Sequence, residues 1–172
     1  MHNVWRYILL FAVTLLLQLF FFDRLTAGVW FAPVIYTAAV LLLPVNTPPI
    51  VVLLAGLASG LAADAATGME GLNVIATLAV AYVRRPLLLA FGGHDIMREA
   101  AAPSAETLGR AGFCSYALAA VALHALIFHL LEALSLAHLL RTLGVWAACT
   151  AESFLCLLIA SRLFTVSTRV RP

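Results

Sequence analysis

Between Leu25 and Ala63 the chain runs 39 residues without a charged side chain. One helical crossing of a bilayer core takes about 20 apolar residues, so this run is too long for one span and long enough for two. Pro44-Val45-Asn46-Thr47-Pro48-Pro49 divides it, because proline lacks the N–H that a helix interior needs and clashes with the preceding turn. A water-soluble fold has no place for so much hydrocarbon. Hydrophobic residues make up 64% of the 172-residue chain and charged residues 10%, with a mean hydropathy of +1.05. Ordinary globular chains are roughly half apolar and roughly a quarter charged, so lipid must solvate part of this one. The pattern predicts an all-α, polytopic transmembrane bundle with no soluble domain.

Charges and prolines place six helices within one integral membrane domain, 1–172. The expected spans are 5–22, 28–43, 49–66, 71–91, 111–131 and 142–165. The charge-free part of the fourth runs from about Gly71 to Val83, with Arg84-Arg85-Pro86 at its end and the apolar Leu87–Phe91 beyond. Residues 92–110 form the one extended polar loop. Arg6 ahead of an apolar stretch is also compatible with a signal peptide, but Phe20-Phe21-Phe22-Asp23 offers no small-residue cleavage site, so a retained first helix is expected.

Arginine placement sets the expected orientation. With the N-terminus inside, Arg6, Arg84, Arg85, Arg98, Arg110, Arg162, Arg169 and Arg171 are cytoplasmic, and only Arg24 and Arg141 are outside. Both termini and the 92–110 loop are therefore expected in the cytoplasm. The formal charge of +2, with no lysine, offers nothing to nucleic acid. Cys114, Cys149 and Cys156 all sit in apolar runs and read as buried thiols rather than a disulfide or metal framework.

Small residues mark the third helix. Gly56, Gly60, Asp64 and Gly68 recur every four residues, and Gly71 follows. In lipid such spacing lets helix backbones approach closely, either within the bundle or against a partner's single helix. Asp64 at the helix end is expected to touch water or cap the turn before Gly68. Glu152 is the one acid deep inside a span; ionised and facing lipid it would cost several kcal/mol, so it must face protein or be protonated. A hydrogen-bonded interhelical contact takes precedence over a proton relay there. His129 and Glu132 share a face of the fifth helix near the outer interface, with His124 about 140° away. That spacing suits a polar patch for a partner or headgroups better than a metal. No phosphate loop, nucleophile elbow or paired carboxylates are present, so neither catalytic residues nor a cofactor are expected.

The order of motifs resembles the rod shape-determining protein MreD family, in its Bacteroidota-like form. Ala32-Pro33-x-x-Tyr36 and Leu41-Leu42-Leu43-Pro44-Val45-Asn46-Thr47-Pro48 resemble the end of that family's second helix. Gly56-x-x-x-Gly60-x-x-x-Asp64-x-x-x-Gly68-x-x-Gly71-Leu72 resembles its third helix and turn, and Arg84-Arg85-Pro86 falls where its fourth ends. His124 through Ser135 is similar to its fifth. Val45 stands where such sequences often carry Phe, and the tail has Arg169 and Arg171 in place of a lysine-rich stretch. The resemblance implies a non-enzymatic scaffold subunit of the bacterial cell-elongation complex in the cytoplasmic (inner) membrane. Its implied partners are an MreC-like bitopic protein, RodA with a class-B penicillin-binding protein, MreB filaments indirectly, and membrane lipids. The implied fold is similar to the six-helix substrate-binding subunits of energy-coupling-factor transporters. That similarity also implies an alternative, a vitamin-like small-molecule binding subunit, for which Asp64, Asn73, His129 and Glu132 are the candidate ligands. A proton-coupled carrier would rest on Glu152. Arg84 and Arg85 suit anionic headgroups or an acidic partner surface.

Overall fold

The computed structural model describes residues 2–22, 33–98, 101–133 and 139–169. It is all-helical, with no strand among the described residues. Helix α1 covers His2–Leu17 and passes into a π-helical turn, Gln18–Phe22. A short α2, Thr37–Leu41, is followed by α3, Pro49–Thr67, and α4, Leu72–Gly92. A 3₁₀ turn, Asp95–Arg98, leads toward α5, Gly109–Ala133, and then α6, Leu139–Arg169. By length and composition α3, α4, α5 and α6 are each able to cross a membrane, and α1 carries a shorter apolar stretch, Tyr7–Phe20.

Local chemistry explains the ends of α3 and α4. Proline at the first position of α3 has no N–H to leave unsatisfied and a φ already suited to a helix. Gly68 closes α3 with φ of 70°, and the N–H groups of Gly68 and Met69 both donate to Asp64 O. Gly71 opens α4 at φ of 91°. Pro86 lies inside α4 on its exposed side and the helix runs on through it to Gly92, so the fourth span is not cut at Arg84-Arg85-Pro86. The carbonyl that Pro86 leaves without an N–H is that of Tyr82, an exposed residue at the helix surface.

The glycine-rich face of α3 packs on α4. A methyl group built on Gly60 would lie 2.6 Å from Val74 Cα, and one on Gly56 would lie 3.0 Å from Ala81 Cβ. Ser59 and Ala63 are buried along the same seam, while Leu54, Leu57 and Leu61 face outward. This inverts the pattern of a water-soluble helix: in lipid, close backbone approach supplies the dispersion contacts, and leucine is at home outside. A similar approach joins α4 to α5, where a methyl on Gly112 would lie 2.7 Å from Phe91 O. Leu41, Leu88, Tyr116, Ala120 and Leu157 meet at the centre of the main core.

The second expected helix, 28–43, is the principal correction. Its first five residues lie outside the described residues, and residues 33–35 are not helical; only Thr37–Leu41 is. Hydropathy cannot separate an apolar helix from an apolar irregular segment whose backbone groups find partners inside the protein. The remaining boundaries differ from expectation by a few residues: α5 begins two residues earlier than 111, and α6 extends past 142–165 at both ends.

Candidate functional site

Three non-helical residues, Pro33, Val34 and Ile35, lie just ahead of α2, between Gln18 of the π-helical turn and Ser153 of α6. Non-helical backbone at membrane depth must be satisfied by the protein itself, since lipid offers no hydrogen bonds. Two side chains do this. Gln18, in the π-helical turn, donates through Nε2 to Pro33 O at 3.2 Å and accepts from Ile35 N at 2.8 Å. Ser153 of α6 accepts from Val34 N at 2.8 Å. Gln18 and Ser153 are both buried.

The next residue, Tyr36, carries the segment's polarity across the bundle. Its hydroxyl donates to Asn73 Oδ1 at 2.8 Å and sits 3.0 Å from His124 Nε2, with the two rings edge to face. Thr77 Oγ1 donates to Asn73 O at 2.6 Å and lies 3.3 Å from the same imidazole nitrogen. Asn73 in turn donates from Nδ2 to Asp64 Oδ1 at 2.9 Å. Asp64, Asn73, Tyr36, Thr77 and His124 thus form one buried chain linking α3, α4, the residue before α2, and α5.

Proton bookkeeping along this chain assigns the imidazole. Asn73 Oδ1 can only accept, so the Tyr36 proton is directed to it; Asn73 O can only accept, so the Thr77 proton is directed there. Both oxygens then face His124 Nε2 with lone pairs, and Nε2 carries the hydrogen. His124 Nδ1 is left as an acceptor, and it has no hydrogen-bond partner in the bundle.

Asp64 has a second role. The opening residue of α4 is Gly71, which has no side chain with which to cap. Asp64 supplies the cap from the preceding helix: Oδ1 accepts from Asn73 N at 3.0 Å and Oδ2 from Val74 N at 3.1 Å. These are the second and third N–H groups of α4, the pair an ordinary N-cap serves. The expectation of a water-facing Asp64 is therefore corrected: the side chain is buried, and it caps the helix that follows Gly71 rather than the turn at Gly68.

The other expected site residues separate. Arg84 is buried, donating through Nη2 to the carbonyls of Leu43 and Pro44, whereas Arg85 and Pro86 are exposed. Arg84 thus ties down the end of the α2 segment, with Tyr116 donating to Leu41 O at 3.0 Å beside it. Pro44 is half-buried, and Asn46 and Pro48 are exposed on the same turn. His129 is buried rather than part of a surface patch; its Nδ1 lies 3.0 Å from Oε2 of the exposed Glu132, and its Nε2 has no partner. Asp64 and Asn73 come together, but His129 and Glu132 form a separate pair. Glu152 is half-buried and is not without an interaction. Among the described residues no group of three or more His, Cys, Asp or Glu side chains is placed to hold a metal.

Gln18, Thr77 and Ser153 escaped sequence reading as site residues. A lone glutamine in an otherwise apolar first span was the available signal, since an amide in lipid must find a partner. The fold and this interior define a helical, multi-pass membrane protein built around a partly unwound second segment. No family model, no curated protein and no solved structure matches the chain.

Proposed function

We propose that this protein is a non-enzymatic scaffold of the cell-elongation machinery in the bacterial inner membrane. In this reading it crosses six times with both termini cytoplasmic, binds an MreC-like bitopic protein, and helps position RodA with its class-B penicillin-binding protein above MreB filaments. One observation carries the reading. The motifs that resemble MreD coincide with the contacts that tie α2, α3 and α4 into one unit: Tyr36 to Asn73 and Asp64, Arg84 to Leu43 and Pro44, and Gly56 and Gly60 to α4. A unit whose polar groups bond one another and whose small-residue face is filled by its own helix suits a rigid docking body. The partner's helix then meets other surfaces than the Gly56/Gly60 seam.

Depletion should round or swell rod-shaped cells, and gentle purification should recover an MreC-like bitopic protein. Normal cell shape on depletion together with no such partner overturns the scaffold.

A second reading, a small-molecule binding subunit, is favoured by the unwound 33–35 segment and the open acceptor on His124. Broken helices and buried polar groups near the bilayer midplane are how many carriers bind their substrates. Saturable uptake of a vitamin-sized ligand that requires this chain would establish that reading in place of the first.

A further inference from the structure

Arg84 is a buried cation whose counter-charge is not among the described residues. It is 3% exposed, and no carboxylate among the described residues forms an ion pair with it. Nη2 donates to the carbonyls of Leu43 and Pro44, and the Nε–H has no hydrogen-bond partner. Two carbonyl dipoles solvate part of a guanidinium without neutralising it, and a charge taken from water without an opposite charge carries a large desolvation cost.

The depth of Arg84 follows from the helix register. Antiparallel α3 and α4 set Gly60 against Val74 and Gly56 against Ala81, which brings Arg84 level with residues 50–53. That is within about one turn of the start of α3 at Pro49. Val52, Leu53, Ala81 and Leu43 pack together at this level. Immediately beyond lies the Pro44–Pro48 turn, with Asn46 and Pro48 exposed, and Tyr82 and Arg85 are exposed on α4 itself. An exposed tyrosine and arginine at a helix-and-turn boundary mark the headgroup zone. Basic sites between helices at this depth recognise lipid phosphates.

We propose that Arg84, assisted by Arg85, holds the phosphate of an anionic phospholipid where α4 meets the Pro44–Pro48 turn. The carbonyls of Leu43 and Pro44 orient the guanidinium, and the lipid supplies the missing negative charge. Val45 N, next to Pro44, donates to Ala101 O at 3.0 Å, and in the sequence an acid, Glu99, stands two residues before Ala101, so its substitution is included in the test.

The test is native mass spectrometry of the full chain released from bilayers of equal phosphatidylglycerol and phosphatidylethanolamine. The wild type should retain phosphatidylglycerol in preference by about fivefold, the factor expected from one basic residue's attraction to an anionic headgroup. Arg84→Gln should abolish the preference and Arg85→Gln should reduce it. Arg84→Lys, which keeps the charge, should preserve it and serves where the glutamine variant does not fold. Absence of a preference in the wild type, or an unchanged preference in Arg84→Gln, overturns the proposal. Millimolar inorganic phosphate stabilising the protein as well as phosphatidylglycerol does would overturn the lipid as the source. A preference that appears only in Glu99→Gln would assign the counter-ion to Glu99 and overturn it too.

Discussion

Asp64 and Asn73 stand on either side of the turn between α3 and α4, and the carboxyl of one accepts both the backbone N–H and the side-chain N–H of the other, at 3.0 and 2.9 Å. The same carboxyl group therefore begins the next helix and anchors the polar chain that ends at His124. Removing it should act on both.

Asp64→Ala should destabilise the bundle by about 1–2 kcal/mol, the ordinary cost of losing an N-cap, with a further loss from the released Asn73 amide. Asp64→Asn should cost less, because one oxygen still accepts from the helix N–H groups. Thermal unfolding in detergent measures both, with the exposed Glu70→Ala as a control that leaves the transition unmoved. Equal stability of all three variants would show that the cap is energetically silent.

The two glycines of the α3–α4 seam should respond differently. Gly60→Ala meets backbone, Val74 Cα at 2.6 Å, and must separate the helices; Gly56→Ala meets the Ala81 methyl at 3.0 Å. Overpacking of this kind costs about 1–3 kcal/mol, with Gly60→Ala the worse. Ala81→Gly should rescue Gly56→Ala and not Gly60→Ala, a coupling that a double-mutant cycle reads directly.

The hydrogen on His124 is expected at Nε2. Nitrogen-15 spectra of the labelled protein in micelles should report Nε2 as the protonated and Nδ1 as the bare nitrogen. Tyr36→Phe removes the hydroxyl shared by Asn73 and His124, and should cost about 1–3 kcal/mol because it leaves buried polar groups unpaired. A spectrum with the hydrogen on Nδ1 would overturn the assignment.

Parity of the crossings turns on the segment before α2. If the chain crosses six times, single cysteines at His2 and at Ala102 or Thr168 are all labelled from the cytoplasmic side, in a background lacking Cys114, Cys149 and Cys156. Labelling of His2 from the outside and Thr168 from the inside would mean that the segment including 33–41 does not complete a crossing.

The membrane class and the four long helices were legible in the sequence, because helix formation in lipid is a local matter: every backbone group must bond within its own segment, and hydropathy reads that requirement directly. Gly56 and Gly60 could likewise be read as a close-packing face, since four-residue spacing is a property of one helix. Which helix fills that face was a tertiary decision, as was the burial of Arg84 against the carbonyls of Leu43 and Pro44. The same holds for the partly unwound second segment. Its residues are as apolar as those of a helix, and it holds an irregular shape only because Gln18 and Ser153, distant in the chain, supply the hydrogen bonds that an isolated segment would have had to make as a helix.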